Sequence, residues 1–193
     1  NRRFVDEGHG GVHITNSIAA LSDPASTVVI FDATVWNGPG LERALSPNPY
    51  LQRIGGTVHA APTLEALARA SGLPSGALIE EVARYNATLA TGTGATLGPP
   101  RSTNKFRAYA IATAPFYAIP AAAGITYTMG GIAIDGESRV LDDHDQPMPG
   151  LYAAGSCTGG LEGGPRAGYA GGLCKASTTG LHAGEHITGY LAT

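Results

Sequence analysis

The stretch "GLYAAGSCTGGLEGGPRAGYAGG" (residues 150–172) joins a short apolar segment to a glycine-rich loop. Eight of the chain's 28 glycines lie between positions 155 and 172. The segment after the loop, residues 173–191, has a composition compatible with a helix, so the order is strand, glycine loop, helix. Three interpretations of the loop are open: a slack linker, a cradle for phosphate, or a wall where bare backbone approaches a ligand.

The two standard phosphate-binding loops are absent from the sequence. A dinucleotide fingerprint requires glycines at positions i, i+2 and i+5, and no three glycines in the chain have this spacing. A P-loop requires a Gly-Lys dipeptide, which does not occur. The helix after the loop still directs free N–H groups and its positive dipole end toward the residues before Gly172, which favours an anionic or electron-rich group there.

Composition limits the partners that the chain is expected to have. A chain of 193 residues with 43% hydrophobic content is expected to be globular, as one domain or two small ones. The net charge is −3 and the 12 Lys and Arg residues are scattered, which predicts no nucleic-acid partner. The longest strongly apolar run, "TVVIF" (27–31), is far shorter than the roughly 20 residues that cross a bilayer, so no membrane insertion is expected.

The ends and the cysteines carry further expectations. The chain begins at Asn1 without an initiator methionine, with a strand-like alternation, and is predicted to be a fragment of a longer, cytoplasmic protein. Cys157 and Cys174 form no CxxC pair, so they are predicted to be reduced thiols packed as small hydrophobic groups.

Local patterns predict the elements of the first two thirds of the chain. Residues 26–36 favour a buried strand that ends near Asp32, and residues 37–56 favour loop. One helix is expected after Thr63, which is a suitable N-cap, and it ends at Gly72. A second helix covers 75–90, with Ser75 as its cap and an i, i+4 pair between Glu80 and Arg84. Its apolar stripe comprises Leu78, Val82, Tyr85 and Leu89.

The last third predicts a hairpin followed by the strand, loop and helix described above. Residues 109–120 favour extended chain, and "IDGESRV" favours a turn at Asp135-Gly136. A short apolar strand, "GLYAAG" (150–155), then leads into the glycine loop.

The motifs together resemble a known family. "PGLYAAGSCTGGLEGGPRAGYAGGL" and "GLHAGEHI", preceded by "YTMGGIAID" and by "TLEALARASGL" and "LIEEVARYNA", resemble the C-terminal half of flavoproteins in the fumarate reductase and 3-ketosteroid dehydrogenase superfamily. The likeness covers nearly the whole chain, and its motifs occur in the family's order. It implies an FAD-dependent oxidoreductase that transfers hydride between the flavin and a C=C or CH–CH bond activated by a carbonyl or carboxylate.

The resemblance also implies an architecture. The fold class is α/β, an α+β fragment in which residues 1–118 belong to a mobile capping domain and residues 119–193 to the C-terminal strand, loop and helix of a Rossmann-like FAD-binding domain. The family's GxGxxG loop lies in an N-terminal portion that this chain lacks, so its partners are that half of its parent chain and a small-molecule substrate. The FAD is expected to be held non-covalently, and the isolated chain is expected to be colourless.

The family pattern assigns candidate residues to the flavin. Backbone beside the isoalloxazine ring, the position next to the ribityl chain and the start of the last helix are the parts that contact the cofactor in the family. The cofactor-binding candidates are Gly130, Gly131, Gly155, Ser156, Gly171, Gly172 and Leu173.

The catalytic candidates are Arg166 and Tyr127. Arg166 matches the family arginine that clamps a substrate carboxylate or carbonyl oxygen, a role suited to a planar guanidinium; the alternative is a surface arginine paired with Glu162. Tyr127 stands where fumarate reductases carry a histidine, and a phenol can donate a hydrogen bond or relay a proton; the alternative is a half-buried hairpin tyrosine. Thr128, Trp36 and Tyr169 are candidates for contact with substrate, although Tyr169 has the alternative of packing over the loop.

Several positions depart from the family. Trp36 stands where fumarate reductases place a proton-donating arginine, no arginine occurs between Arg3 and Arg43, and Ser156 replaces an acidic residue. These changes predict a less polar substrate than fumarate, such as an enone, a cyclic ketone or an aromatic acid. They also leave open a catalytically silent relative, or a fragment that serves only as a binding or structural module.

The histidines and the acidic run at 142–147 predict no metal site. Glycines separate His9 from His13, which argues against one helix that presents both, and "DDHDQP" is too short for an EF-hand loop and is interpreted as solvated loop.

Overall fold

The computed structural model describes residues 2–42, 48–103, 105–124, 130–161 and 171–192. The chain divides into two compact units, Asn1–Gly124 and Ile125–Thr193. Both combine helices with small sheets, which confirms the mixed α/β class in its general form. The assignment of residues 1–118 to a capping domain and of 119–193 to an FAD-binding domain stays a prediction.

A three-stranded antiparallel sheet forms the centre of the first unit. Strand β1 covers Thr27–Asp32, β2 covers His59–Ala61 and β3 covers Phe116–Ala121, with β3 between the other two. The β-branched run of β1 suits a pleated, half-buried surface and confirms the predicted strand. The helices of this unit are α1 Gly11–Ala19, α2 Ala33–Asn37, α3 Pro39–Glu42, α4 Tyr50–Arg53, α5 Leu64–Ser71 and α6 Ser75–Ala90.

Two predictions about this unit are wrong. The opening residues do not form a strand: Asp6 accepts a hydrogen bond from the Gly8 amide and starts a 3-10 turn, and α1 begins at Gly11. The stretch 37–56 contains α3, whose first residue is Pro39, a position compatible with the fixed backbone angle of proline, and α4, which starts just after Pro49. The first error comes from an alternation that does not correspond to a strand, and the second from reading glycine and proline as breakers where they mark helix starts.

The pair α5 and α6 was predicted from local signals and is confirmed. Thr63 Oγ1 accepts a hydrogen bond from the Ala66 amide at 3.1 Å, and Gly72 ends α5 in the left-handed region at φ +70°. The predicted cap of α6 is wrong, because Pro74 precedes the helix with extended backbone and Ser75 is already its first residue. The predicted pair of Glu80 with Arg84 is also wrong.

Arg84 contacts a different acidic residue on α6. Its Nη2 lies 2.5 Å from Glu81 Oε1, at i, i+3, with part of both side chains in solvent. Such an exposed pair contributes less than about 1 kcal/mol.

The core of the first unit lies between the sheet and these two helices. Leu67 of α5 is fully buried against Ala118 of β3 and Ala61 of β2. Ala68 packs with Leu78 and Val82 of α6. The predicted stripe of α6 is therefore buried at Leu78, Val82 and Tyr85, whereas Leu89 is half-buried near the end of the helix.

The second unit contains a hairpin and one long helix. A turn at Asp135 closes with a hydrogen bond from the Ser138 amide to the Asp135 carbonyl at 3.1 Å, which confirms the predicted turn. Strands β4, Arg139–Leu141, and β5, Pro147–Tyr152, pair antiparallel around an exposed acidic turn. Helix α7 covers Gly172–Leu191, close to its predicted bounds. No helix in the described part of the chain is long and apolar enough to cross a membrane.

Candidate functional site

Two backbone segments of the second unit lie side by side at glycine residues. The Ile132 amide donates to the Cys157 carbonyl at 2.8 Å, and the Gly159 amide donates to the Ile132 carbonyl at 3.0 Å. Ile132 and Thr158 thus form a parallel bridge. We call residues 130–132 and 157–159 the glycine crossing. Its first half lies in the family motif "YTMGGIAID" and contains the candidates Gly130 and Gly131, and its second half lies in the motif "PGLYAAGSCTGGLEGGPRAGYAGGL".

Two of the glycines in the crossing are required by close contact. A Cβ atom added to Gly131 would lie 2.6 Å from the Cys157 carbonyl oxygen, and one added to Gly159 would lie 2.8 Å from the Gly131 nitrogen. By contrast, a Cβ on Gly130 meets no atom of the described residues within 4 Å. Gly131 is therefore set by packing inside the unit, while the backbone at exposed Gly130 is open on one side.

A buried polar network connects the crossing to helix α7. Thr179 Oγ1 accepts a hydrogen bond from the Gly155 amide at 2.8 Å and donates to the Lys175 carbonyl at 2.7 Å. Lys175 Nζ lies 2.5 Å from the Thr158 carbonyl oxygen, and Ser138 Oγ donates to the Thr179 carbonyl at 2.8 Å. Four of the buried polar residues thus share one network.

The cofactor candidates Gly155 and Ser156 lie in the 3-10 turn Gly155–Cys157. Gly155 is buried with φ +72°, and both of its backbone polar groups already have partners, Thr179 for the amide and Thr158 for the carbonyl. Ser156 is exposed. Ser156 therefore has the accessible hydroxyl of this turn, and Gly155 serves to shape it.

The remaining cofactor candidates form the start of α7. Gly171 is the residue before the helix, with φ +105°; no side chain of the described residues caps the helix there, and the Gly171 carbonyl accepts the Lys175 amide at 2.9 Å. Gly172 is half-buried and Leu173 is 87% exposed. An N-terminus without a capping side chain leaves backbone N–H groups available to a ligand.

Trp36 lies in the first unit, in a stack of three aromatic rings. Its ring centroid is 4.5 Å from that of Tyr117 and 6.1 Å from that of Phe31, with the planes within about 10° of parallel. Asp32 holds the start of α2, the helix that carries Trp36. Four backbone amides donate to its buried carboxylate, two from α2 and two from residues 112 and 113.

An apolar cavity of about 490 Å³ also lies in the first unit, with a polar end. There Arg3 Nη2 lies 2.6 Å from Glu7 Oε2, and the Arg3 guanidinium stands over the Tyr85 ring. Burial raises the pKa of Tyr85 above its ordinary value, although the neighbouring Arg101 opposes the shift. The charges at this end are compensated by one another and by backbone carbonyls, which indicates a structural cluster.

Four candidate residues lie outside the described residues, and the prediction for the cysteines is wrong. Arg166, Tyr127, Thr128 and Tyr169 lie outside the described residues, and their roles stay predictions. Cys157 and Cys174 are free but exposed, so the prediction that they pack as hydrophobic groups is wrong. They lie on the outer sides of the 3-10 turn and of the first turn of α7.

Histidines and carboxylates do not converge on a metal site in the described ranges, where no group of three or more such ligands occurs. The prediction that no single helix presents both His9 and His13 is confirmed, because His9 ends the 3-10 turn and His13 lies in α1, although the two rings are 4.9 Å apart, edge to face. His186 of α7 is hydrogen-bonded through Nδ1 to the Tyr152 hydroxyl at 2.8 Å.

Sequence reasoning missed the buried polar network. The sequence does not predict this network, because its members pair only when the hairpin, the 3-10 turn and α7 come together. The members are Lys175, Thr158, Thr179 and Ser138. One signal was present: Lys175 is one of only two lysines in the chain, in a segment of small and apolar residues, and Thr179 follows it at i+4.

The described residues fit a flavin. Exposed backbone at Gly130, the accessible hydroxyl of Ser156 and the start of α7 belong to one unit, and they supply open backbone and hydrogen-bond donors suited to a flat ring whose edge carries hydrogen-bond acceptors.

The chain matches known proteins along most of its length. A family model described as "FAD binding domain" matches residues 2–171. The chain is 35% identical to "Fumarate reductase (cytochrome)" of Shewanella frigidimarina over 138 residues, 70% of this chain and 23% of that protein. It is 32% identical to "4-oxocyclohexanecarboxylate 2-dehydrogenase" of Sinomonas cyclohexanicum over 215 aligned positions, 99% of this chain and 36% of that protein.

A solved structure of a related flavoprotein also matches most of this chain. The chain resembles the 3-ketosteroid-delta4-(5alpha)-dehydrogenase of Rhodococcus jostii with a TM-score of 0.65 and 28% identity, over 95% of this chain and 36% of that one. The superfamily that the motifs indicated is thereby confirmed, and so is FAD as its cofactor. The chain spans only about a quarter to a third of the length of these proteins.

Proposed function

We propose, because this chain belongs to the FAD binding domain family, that it forms part of an oxidoreductase acting on CH–CH or C=C bonds. Bound FAD would supply a hydride acceptor and donor at N5 for a bond activated by a carbonyl or carboxylate. The observation that carries the proposal is the family match over residues 2–171, which includes the glycine crossing.

The second unit would bind the ring of the cofactor. No atom of the described part of the chain lies within 4 Å of where a Cβ of Gly130 would stand, so its backbone can approach a flat aromatic surface. The contacts of Gly131 and Gly159 hold that backbone in a fixed position, since neither glycine can accept a Cβ without displacing the other segment. The start of α7 would offer N–H donors to the electron-rich edge of the ring.

Residues known only from sequence would act on the substrate. Arg166 would bind the carboxylate or carbonyl oxygen that activates the bond, and in a site without water such a contact stabilises developing negative charge. Tyr127 would donate a hydrogen bond to that oxygen or move a proton to the adjacent carbon. Thr128 and Tyr169 would contact the substrate, and Trp36 stays a candidate for such contact, as the resemblance implies.

The substrate class that we propose is a small enone, cyclic ketone or aromatic acid, in place of fumarate. Trp36 and Tyr127 replace charged residues of fumarate reductases, which removes two of the contacts that a dicarboxylate needs. The name of the Sinomonas relative describes a cyclic keto acid as its substrate. We also propose that FAD is held non-covalently and that the N-terminal half of a longer parent chain completes its binding.

The test is a flavin titration and a reoxidation assay. The protein that carries this chain together with a dinucleotide-binding portion should purify with FAD, bleach with a reductant and reoxidise with a cyclic enone. Arg166→Ala should slow reoxidation at least 100-fold, because it removes the clamp on the activating oxygen, while FAD content stays unchanged. Exposed Arg69→Ala is the matched control and should reoxidise at the wild-type rate.

Two results would contradict the proposal. A protein that binds no FAD would favour a binding or structural module, the alternative that Trp36 and Ser156 leave open. A protein that binds FAD but reoxidises equally fast with Ala at position 166 would exclude Arg166 as the clamp.

A further inference from the structure

Lys175 is a buried lysine whose position no family motif explains. It is 3% exposed, in the first turn of the long helix α7. Burial of a basic side chain costs free energy unless its donors are bound, and an unbranched apolar side chain such as Met would fill the same space without that cost. The amine therefore indicates a need for a directed hydrogen bond at this point.

One hydrogen bond of this amine goes to the glycine crossing. Lys175 Nζ lies 2.5 Å from the carbonyl oxygen of Thr158, a residue with no exposed surface. The carbonyl belongs to backbone, so the bond fixes the chain itself and not a side chain. The residues on either side of Thr158 are the two that pair with Ile132.

Thr179, one turn further along α7, holds the other end of the same short segment. Its Oγ1 accepts the Gly155 amide at 2.8 Å, and Thr158 Oγ1 donates to the Gly155 carbonyl at 2.8 Å. Helix α7 therefore contacts both ends of residues 155–158: Thr179 binds the Gly155 amide and Lys175 binds the Thr158 carbonyl. The direction in which residues 157–159 leave this segment depends on the Lys175 contact.

We infer that Lys175 is a positioning residue for FAD. It fixes the Thr158 carbonyl and thereby sets the backbone of the glycine crossing at the position where Gly130 is presented to the flavin ring. The inference rests on the proposed function, because it assigns a purpose to the crossing. Lys175 acts through Thr158 and has no assigned contact with the substrate.

The first test measures the crossing without any flavin. In the 193-residue chain, Lys175→Met should speed hydrogen exchange of the Ile132 and Gly159 amides at least 10-fold, since the segment that pairs them loses its anchor. Ser138→Ala is the matched control. It removes another buried hydrogen bond to α7, from Ser138 Oγ to the Thr179 carbonyl, and leaves the Thr158 carbonyl bound.

The second test measures the cofactor in the FAD-binding protein. Lys175→Met should raise the FAD dissociation constant at least 10-fold and change the visible flavin spectrum, whereas Ser138→Ala should change neither, even if both variants melt at the same lower temperature. Lys175→Arg retains a long cationic donor and should recover part of the affinity. If the Met variant does not fold, Lys175→Gln, which is too short for the same contact, takes its place.

Each outcome has one meaning. Equal exchange rates and equal FAD affinity in the Lys175 and Ser138 variants would overturn the inference and leave the proposed function intact. A wild-type protein that binds no FAD would overturn the proposed function, and the positioning role would fall with it. Faster exchange at Ile132 and Gly159 together with weaker FAD binding, in the Lys175 variants alone, is the result that we expect.

Discussion

Gly131 lies against the carbonyl of Cys157 so closely that a Cβ atom at position 131 would be 2.6 Å from that oxygen. A Cβ atom at the neighbouring Gly130 would have no atom of the described residues within 4 Å. Two adjacent glycines in one sequence motif therefore have different reasons to be glycine. Gly131 is required by the fold of the second unit, whereas Gly130 is available for a ligand.

We expect Gly131→Ala to destabilise the second unit by about 1–3 kcal/mol, because the methyl group forces the two segments apart. Hydrogen exchange of residues 130–161, followed by mass spectrometry, measures the effect. Gly130→Ala is the control and should change exchange little, although it should weaken FAD binding if the ring lies on that face. Equal protection in the two variants would contradict the close contact.

Thr63 caps helix α5 with its side chain, whereas Ser75 does not cap α6. Thr63→Ala should therefore lower the free energy of unfolding of the first unit by about 1 kcal/mol. Ser75→Ala should change it by less than about 0.5 kcal/mol. Urea unfolding followed through Trp36, the single tryptophan, measures both. An equal loss in the two variants would mean that Ser75 caps α6 after all.

The difference between these two residues shows what local sequence can and cannot predict. Strand β1 and helices α5, α6 and α7 were predicted close to their observed bounds, because apolar periodicity, a threonine cap and a terminal glycine act within one element. The cap of α6 depends on the backbone angle of Pro74, and α1, α3 and α4 start at or just after glycine or proline, so the same residue types gave opposite signals.

The candidate site divides in the same way. The glycines and Ser156 were found because their family motif is continuous in sequence. The Lys175 contact with Thr158 was not predicted, because it joins residues 17 positions apart through tertiary packing. Asp32 is a similar case. Its carboxylate accepts hydrogen bonds from two amides about 80 positions away in the sequence, and the local sequence "IFDAT" does not predict those partners.

Asp32 should be among the most sensitive polar positions of the first unit. It is 1% exposed and accepts four backbone N–H groups, so Asp32→Ala leaves several buried donors without an acceptor and should cost about 3 kcal/mol or more. Asp32→Asn should also destabilise, since its single oxygen cannot accept from both amide pairs.

The control for Asp32 is Asp23, which accepts one amide, that of Ala25, at an exposed turn. Asp23→Ala should cost about 1 kcal/mol or less. Trp36 fluorescence should report both unfolding transitions and, for the Asp32 variants, a change in the native spectrum, because α2 carries Trp36. Similar losses at positions 23 and 32 would contradict the role of Asp32.

Asp6 should make the first unit sensitive to acid. Desolvation raises the pKa of its carboxyl group, but backbone hydrogen bonds from Ser102 and Gly8 outweigh it, so the pKa lies below its ordinary value of 3.8. Because the folded-state pKa is lowered, ionised Asp6 stabilises the fold fully above the unfolded pKa, and that stability is lost as the pH falls through the folded value.

Asp6→Asn should therefore be less stable than wild type at pH 7 by about 1–2 kcal/mol, since neutral hydrogen bonds replace charged ones. The difference should shrink as the pH falls from 3.8 through the lower folded-state pKa, below which the folded wild-type carboxyl is neutral too. Urea midpoints at several pH values, read from Trp36, measure this convergence. Asp143→Asn, at a side chain that is 89% exposed, controls for the loss of one negative charge. Curves for wild type and Asp6→Asn that stay parallel down to the lowest pH would contradict the lowered pKa, because the charge of Asp6 would then contribute nothing to the fold.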